Sequence, residues 1–258
     1  MKIIISPAKK MRTDYDFLAP RNTPVFIDRA KRLVEYLKGL SYDQLKVLLA
    51  CNDEIATLNY DRYRRMDLEG PLTNPAILSY DGIQYKYMAP QVFETKYYEY
   101  IEQHLRILSG LYGILRPFDG VVPYRLEMQA KVKTDFCKNL YDYWNSGIFT
   151  ELTKNDNVIL NLASEEYSKI VSKFLVKDIT YITCVFGEMT EGKVKEKGVY
   201  VKMARGEMVR FMAENNITDL QDVKRFDRLG FVYRDKLSDE KAWVFVRNGK
   251  EHAANPIG

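Results

Sequence analysis

Lys9, Arg116, Arg125, Lys202, Arg205 and Arg210 all stand in or beside short segments that contain glycine, proline or serine. Guanidinium and ammonium groups held near turns, with serine hydroxyls and free backbone N–H groups beside them, are what a phosphate or a nucleic-acid backbone requires. Three serines share a second pattern. Ser6 ends the run Ile3-Ile4-Ile5, Ser109 ends Arg106-Ile107-Leu108, and Ser164 closes Leu160-Asn161-Leu162-Ala163. If these runs are neighbouring parallel strands, their carboxyl ends meet on one sheet edge, where open α/β folds bind ligands. Serine also ends strands because its hydroxyl competes for backbone hydrogen bonds, so a purely structural alternative stands beside the pocket. Tyr112 and Tyr124 lie among the arginines, where bases could stack. Their bland counterparts are a tyrosine-filled core and arginines that cap helices.

Other chemistries are poorly supplied. With only His104 and His252, a histidine-rich iron or zinc site cannot be assembled, and neither a metal nor a cofactor is expected. A Glu-x-x-His iron-oxidation signature is missing, since Ile101 stands three residues before His104. There is no G-x-S-x-G elbow, Walker loop or G-x-G-x-x-G. Cys51, Cys137 and Cys184 are far apart with no C-x-x-C pair, which reads as reduced thiols. Cys137, beside Lys138, is the one whose neighbours could activate it. No redox motif is present, so replacing any of the three is expected to spare activity.

The elements that must position the cations are legible in outline. Lys2 to Ser6 reads as a short buried strand stopped by Pro7. Apolar residues at 26, 30, 33, 34 and 37 form a helical stripe before Gly39. Ser41 and Gln44 have capping-box spacing, which makes the region to about Met66 helical. The Tyr80 to Tyr87 stretch reads as strand or loop. Pro90 is expected to open a helix carrying Phe93, Tyr97, Ile101 and Leu105. Strands are expected at Val158 to Leu162 and Ile179 to Phe186, the latter pairing with Val199 to Met203, then a helix from Gly206 to Asn215. Thr218 and Gln221 give another cap spacing, and Phe231 to Tyr233 with Trp243 to Val246 reads as a hairpin.

With 258 residues, 46% apolar and 29% charged, the chain can bury one large core. No linker or repeat marks a boundary, so residues 1–248 are expected to form a single α/β domain, with central sheet, flanking helices and a positively charged cleft, and 249–258 a flexible tail. No apolar run approaches the roughly 18 residues that span a bilayer, which points to a cytoplasmic protein without a membrane partner. The net charge of +4 names no partner by itself. The Arg62, Arg64 and Arg65 cluster beside Tyr60 and Tyr63 reads as a solvated helix face.

Several of these segments resemble one family. Ile5-Ser6-Pro7-Ala8-Lys9, Leu105 to Pro117 (LRILSGLYGILRP), Pro123 to Met128 (PYRLEM), Leu140 to Trp144 and Asn161 to Ser164 look like motifs of the YaaA family of bacterial peroxide-stress proteins. Ala204-Arg205-Gly206, Arg210-Phe211 and Glu214-Asn215 continue them in order. The resemblance implies a cytoplasmic role in resisting hydrogen peroxide by limiting iron-driven damage, and DNA binding through a helix-hairpin-helix-like element. The glycines of Ser109 to Gly113 are one residue too far apart for the usual hairpin. Two functions are therefore weighed: a protein gripping duplex or branched DNA through its arginines, and an enzyme acting on a nucleotide or nucleoside phosphate in the same cleft. Both place Ser6, Lys9, Ser109, Arg116, Tyr124, Arg125, Ser164, Lys202, Arg205 and Arg210 against phosphate or nucleic acid.

Overall fold

The computed structural model describes residues 1–13, 17–72 and 74–247, so the tail from 249 lies outside the described residues. At the centre is β1 (Lys2–Ile5), parallel to strands on both sides. Ile3, Ile4 and Ile5 are fully buried. Helices cover both faces of such a strand, so its sequence is a continuous apolar run rather than an alternating one. Burial of each isoleucine contributes about 1.5–3 kcal/mol. Two-residue bridges join β2 (Lys10–Met11) to β4 (Tyr80–Asp81) and β3 (Asn74–Pro75) to β7 (Gly120–Val121). The main sheet also contains β5 (Leu105–Ser109), β6 (Gly113–Leu115), β8 (Val158–Leu162), β9 (Thr180–Thr190), β10 (Lys193–Lys195), β11 (Phe231–Tyr233) and β12 (Ala242–Arg247). Its order is β11-β12-β9-β8-β1-β5-β6, with β10 paired to β9. The three serine-ended runs are thus adjacent parallel strands, β8-β1-β5, running in one direction.

Among the described residues, ten α-helices complete a single mixed α/β domain. They are α1 (Ile27–Gly39), α2 (Tyr42–Leu49), α3 (Asp53–Arg65), α4 (Ala76–Ser79), α5 (Ile83–Met88), α6 (Thr95–His104), α7 (Leu140–Trp144), α8 (Gly147–Thr153), α9 (Glu165–Ser172) and α10 (Gly198–Glu214). α1 buries Ala30, Leu33, Val34 and Leu37 of the expected stripe, and Phe26 is its half-buried N-cap residue. The Ser41–Gln44 capping box is formed, with both reciprocal hydrogen bonds present. The helical region to Met66 is two helices, because Ala50 turns left-handed and Asn52 caps α3.

Four expectations need correction. Tyr80 to Tyr87 is mostly helix: α5 packs along α10, and that tertiary contact outweighs the strand preference of its tyrosines. Pro90 opens only a 3-10 turn to Val92, and α6 begins at Thr95. Val199 to Met203 is not a strand. Val201, Ala204, Met208 and Met212 are buried at helical spacing and belong to one 17-residue helix, while the hairpin partner of β9 is Lys193–Lys195. Asp219, not Thr218, caps the 3-10 turn Leu220–Arg225, through Gln221 N–H. The final hairpin, β11 with β12, forms as expected.

Ser109 to Gly113 is the turn between antiparallel β5 and β6, a β-hairpin rather than a helical one. Gly113 has φ +74°, and a Cβ there would stand 2.8 Å from the Trp144 ring. Both facts require glycine at this position.

Candidate functional site

At the carboxyl ends of β1 and β8 the sheet edge opens into a cavity of about 520 Å³. Ser6 and Ser164 form its floor, with their hydroxyl oxygens 3.1 Å apart and the Ser164 backbone N–H donating to Ser6 Oγ at 2.9 Å. Ser164 is the N-cap residue of α9, yet its hydroxyl caps no backbone N–H of that helix. It is engaged across the strand ends instead. Tyr85 of α5 fixes the floor from one side by donating to Ser6 O at 3.0 Å.

One wall is the segment from Tyr124 to Glu127. Glu127 is buried and accepts from Arg125 Nη2 at 2.9 Å and Nε at 3.1 Å, and Lys9 Nζ stands 3.1 Å away. Arg125 is itself 13% exposed, and its carbonyl accepts from the Tyr63 hydroxyl of α3 at 2.8 Å. Behind this wall runs a buried chain of hydroxyls. Tyr124 OH lies 2.6 Å from Ser109 Oγ and 2.8 Å from Tyr80 OH, while Ser109 Oγ accepts from Tyr112 N. Burial pushes Tyr124 up to about 12. Glu166, in the first turn of α9, accepts from Gln129 N. Its carboxyl is raised above the usual range by burial and by the nearby charge of Glu127, against that backbone hydrogen bond.

A second wall is α5 with α10. The two helices cross at Gly206, where a Cβ would stand 2.1 Å from Gln84 O. This explains the Ala-Arg-Gly triplet: Ala204 is fully buried, Gly206 allows the crossing, and Arg205 lines the cavity with Lys202 one turn earlier. Gly206→Ala is expected to lower stability by about 1–3 kcal/mol, because the obstructing atom is backbone and the helices must separate. Urea unfolding measures this, and an unchanged midpoint would refute the tight crossing.

Five cationic side chains and three carboxylates line the whole cavity. Among the described residues, no group of three or more His, Cys, Asp or Glu is arranged to hold a metal ion. No helix among them is long and apolar enough to cross a membrane. The family model described as "Peroxide stress protein YaaA" matches residues 1–237. This chain belongs to the YaaA family. It is also 68% identical over 247 residues to a UPF0246 protein of Desulfitobacterium hafniense, covering 96% of this chain and 98% of that one. UPF0246 proteins of Lachnoclostridium phytofermentans and Agathobacter rectalis are 53% and 51% identical, each over 96% of this chain and over 96% and 99% of their own lengths.

In this YaaA-family chain, Ser6, Lys9, Tyr124, Arg125, Ser164, Lys202 and Arg205 line one cavity, and Ser109 sits directly behind Tyr124. Arg116 and Arg210 do not line it. Arg116 Nε pairs with buried Asp119 at 2.8 Å, and its Nη2 donates to Thr23 O. Arg210 pairs with Glu214 at 2.7 Å, a carboxylate that also holds Arg228. Both arginines are engaged in holding the fold. Cys137 and Cys184 are buried, and burial raises the Cys184 thiol. Sequence reasoning passed over Gln84, Glu127 and Glu166. Glu127 had a signal, since an acid two residues after Arg125 shares its side of an extended backbone. Gln84 had none, because α5 itself was not anticipated.

Proposed function

We propose that this YaaA-family chain acts in the peroxide-stress response by binding a phosphate-bearing small molecule, of nucleotide size, in the cavity at the β1 and β8 strand ends. The observation that carries the reading is convergence: four cations from three distant parts of the sequence, Lys9, Arg125, Lys202 and Arg205, and two serines meet around one space of about 520 Å³. That volume is in the ordinary range for small-ligand sites. It sits at the edge where open α/β sheets bind ligands. Buried Tyr85, Tyr124 and Tyr167 supply aromatic surface suited to a nucleobase. Neither serine hydroxyl is bonded to a base, so the geometry favours recognition over nucleophilic catalysis. The cellular outcome, following the family resemblance, is protection from iron-driven damage in the cytoplasm.

A panel of nucleoside 5′-monophosphates tests this. At least one is expected to raise the melting temperature, since a ligand at 100 times its Kd stabilises the native state by about 2.7 kcal/mol. No shift from any member of the panel would sink the reading.

DNA binding is a second reading, favoured by α2 and α3. These short helices are joined by three residues, Ala50 to Asn52, with Ala50 left-handed, and Tyr63 of α3 bonds the Arg125 backbone at the cavity wall. Such a helical hairpin beside a cationic cleft suits a duplex backbone. Its mark is an affinity for labelled duplex that falls steeply with salt. Binding that is absent at low salt would remove it.

A further inference from the structure

Lys9, Arg125, Lys202 and Arg205, four of the five cations that line the cavity, are not equivalent. Arg125 and Lys9 already share the carboxylate of Glu127. A ligand oxyanion arriving there would have to displace Glu127 or stand beside its charge. On α10 the situation is reversed. Arg205 Nε is buried with no hydrogen-bond partner in the protein, and the charged or titratable groups acting on it are Glu196 and the Cys184 thiol. Gln84, only 7% exposed, also has its Nε2 buried without an acceptor. Four side-chain atoms among the described residues are buried and unsatisfied, and two of them belong to residues lining this cavity.

The two residues belong to one helix crossing. Gly206 lets α10 approach until a Cβ at that position would touch Gln84 O, so Arg205 and Gln84 stand at the same helix crossing. A buried donor left without an acceptor costs free energy, on the order of a lost hydrogen bond and more for a charged group. Native proteins retain such groups where a ligand, ion or water completes them. Both orphans are donors, and one carries a positive charge. Their common complement is an anionic oxygen acceptor.

We infer that Arg205 and Gln84, with Lys202 at the rim, form the oxyanion seat of the cavity and receive the phosphate of a nucleoside phosphate, while Arg125 and Lys9 serve to hold Glu127 in the wall. This rests on the nucleotide reading above and gives the ligand an orientation. The phosphate lies at the α5 and α10 crossing. The nucleoside extends toward the serine floor and the tyrosines, where Ser6, Ser164 and Glu127 offer hydroxyls and a carboxylate to ribose hydroxyls or base N–H groups.

The test compares affinities of adenosine and guanosine 5′-monophosphates with those of their nucleosides and of inorganic phosphate, by calorimetry on the full chain. The wild type is expected to prefer nucleotide over nucleoside by about 10- to 100-fold, the worth of a charge-assisted contact. Arg205→Met and Gln84→Leu should each bring that ratio down toward one, with nucleoside affinity held. Arg205→Lys, which keeps the charge and loses Nε, should fall between. Lys193→Ala, removing an exposed cation of the β9–β10 hairpin, should leave the ratio unchanged. The unliganded urea midpoint of Gln84→Leu should hold or rise, because the variant removes an unsatisfied donor, whereas a merely structural Gln84 would make it fall.

Wild-type protein that binds no nucleotide overturns the nucleotide reading itself. Wild-type protein that binds nucleotide and nucleoside equally leaves that reading standing and overturns the oxyanion seat. A preference that survives in both Arg205→Met and Gln84→Leu overturns it as well. Binding of inorganic phosphate alone, weakened by the same two variants, would support the seat while assigning its ligand to free phosphate.

Discussion

Trp144→Ala is expected to lower unfolding stability by about 3–5 kcal/mol, the range for removing a fully buried large aromatic. Trp144 has no exposure, and its ring lies against Phe26 and Tyr143 at centroid distances of 5.8 and 5.0 Å. The Arg29 guanidinium sits 4.6 Å from its ring centre. Its Nε1 donates to Gly110 O at 2.9 Å, so truncation also leaves a buried carbonyl unsatisfied. The indole packs on Gly113, and hence on the turn that ends β5 at Ser109. Loosening that turn should disturb the Ser109–Tyr124 hydrogen bond as well. Equilibrium urea denaturation measures the first effect, and the tyrosine signals of the folded variant the second. A loss below about 1 kcal/mol would show that this ring does not anchor the hairpin.

Glu127→Ala should be nearly as damaging, for an electrostatic reason. Arg125 is 13% exposed, and Glu127 is the carboxylate paired with it. Removing one partner of a buried pair leaves an uncompensated charge and costs about 3–5 kcal/mol. Lys9 contributes little to that figure, since its side chain is 66% exposed and screened by solvent. The double variant Glu127→Ala/Arg125→Met removes both charges and should recover part of the loss. Unfolding free energies of the two single variants and the double variant complete the cycle. Strict additivity would mean that the pair is not coupled, and the assignment of Arg125 to holding Glu127 would fall.

Much of the sheet was legible because its signals are local. Ile3-Ile4-Ile5 is an unbroken apolar run and Val158 to Leu162 is interrupted only by Asn161, and the common serine pattern marks their shared edge. The misplaced cations also carried local signals. Asp119 stands three residues after Arg116, and Glu214 four residues after Arg210, spacings that let an acid engage the base within its own segment. Such arginines are poor candidates for an external anion. What local sequence did not carry was the α5 and α10 crossing. A six-residue helix rich in tyrosine is stable only because a long neighbour packs on it, and the neighbour was itself divided by reading Val199 to Met203 over too short a window for the helical period to appear. Gln84 became visible only when both helices were in place.

The position of β1 bears on how the cleft comes into being. Ile3 faces Leu105 on one side and Leu160 on the other. During synthesis the central strand must therefore wait, unpaired and with its three isoleucines uncovered, until β5 and then β8 have left the ribosome. Closing contacts of such sequence separation slows folding and prolongs exposure of sticky surface. Ser164 reaches Ser6 only at that late stage, and Arg205 arrives later still. Until then the nascent chain lacks the cavity, and a chaperone that shields residues 2–5 would act before any ligand of the proposed kind could.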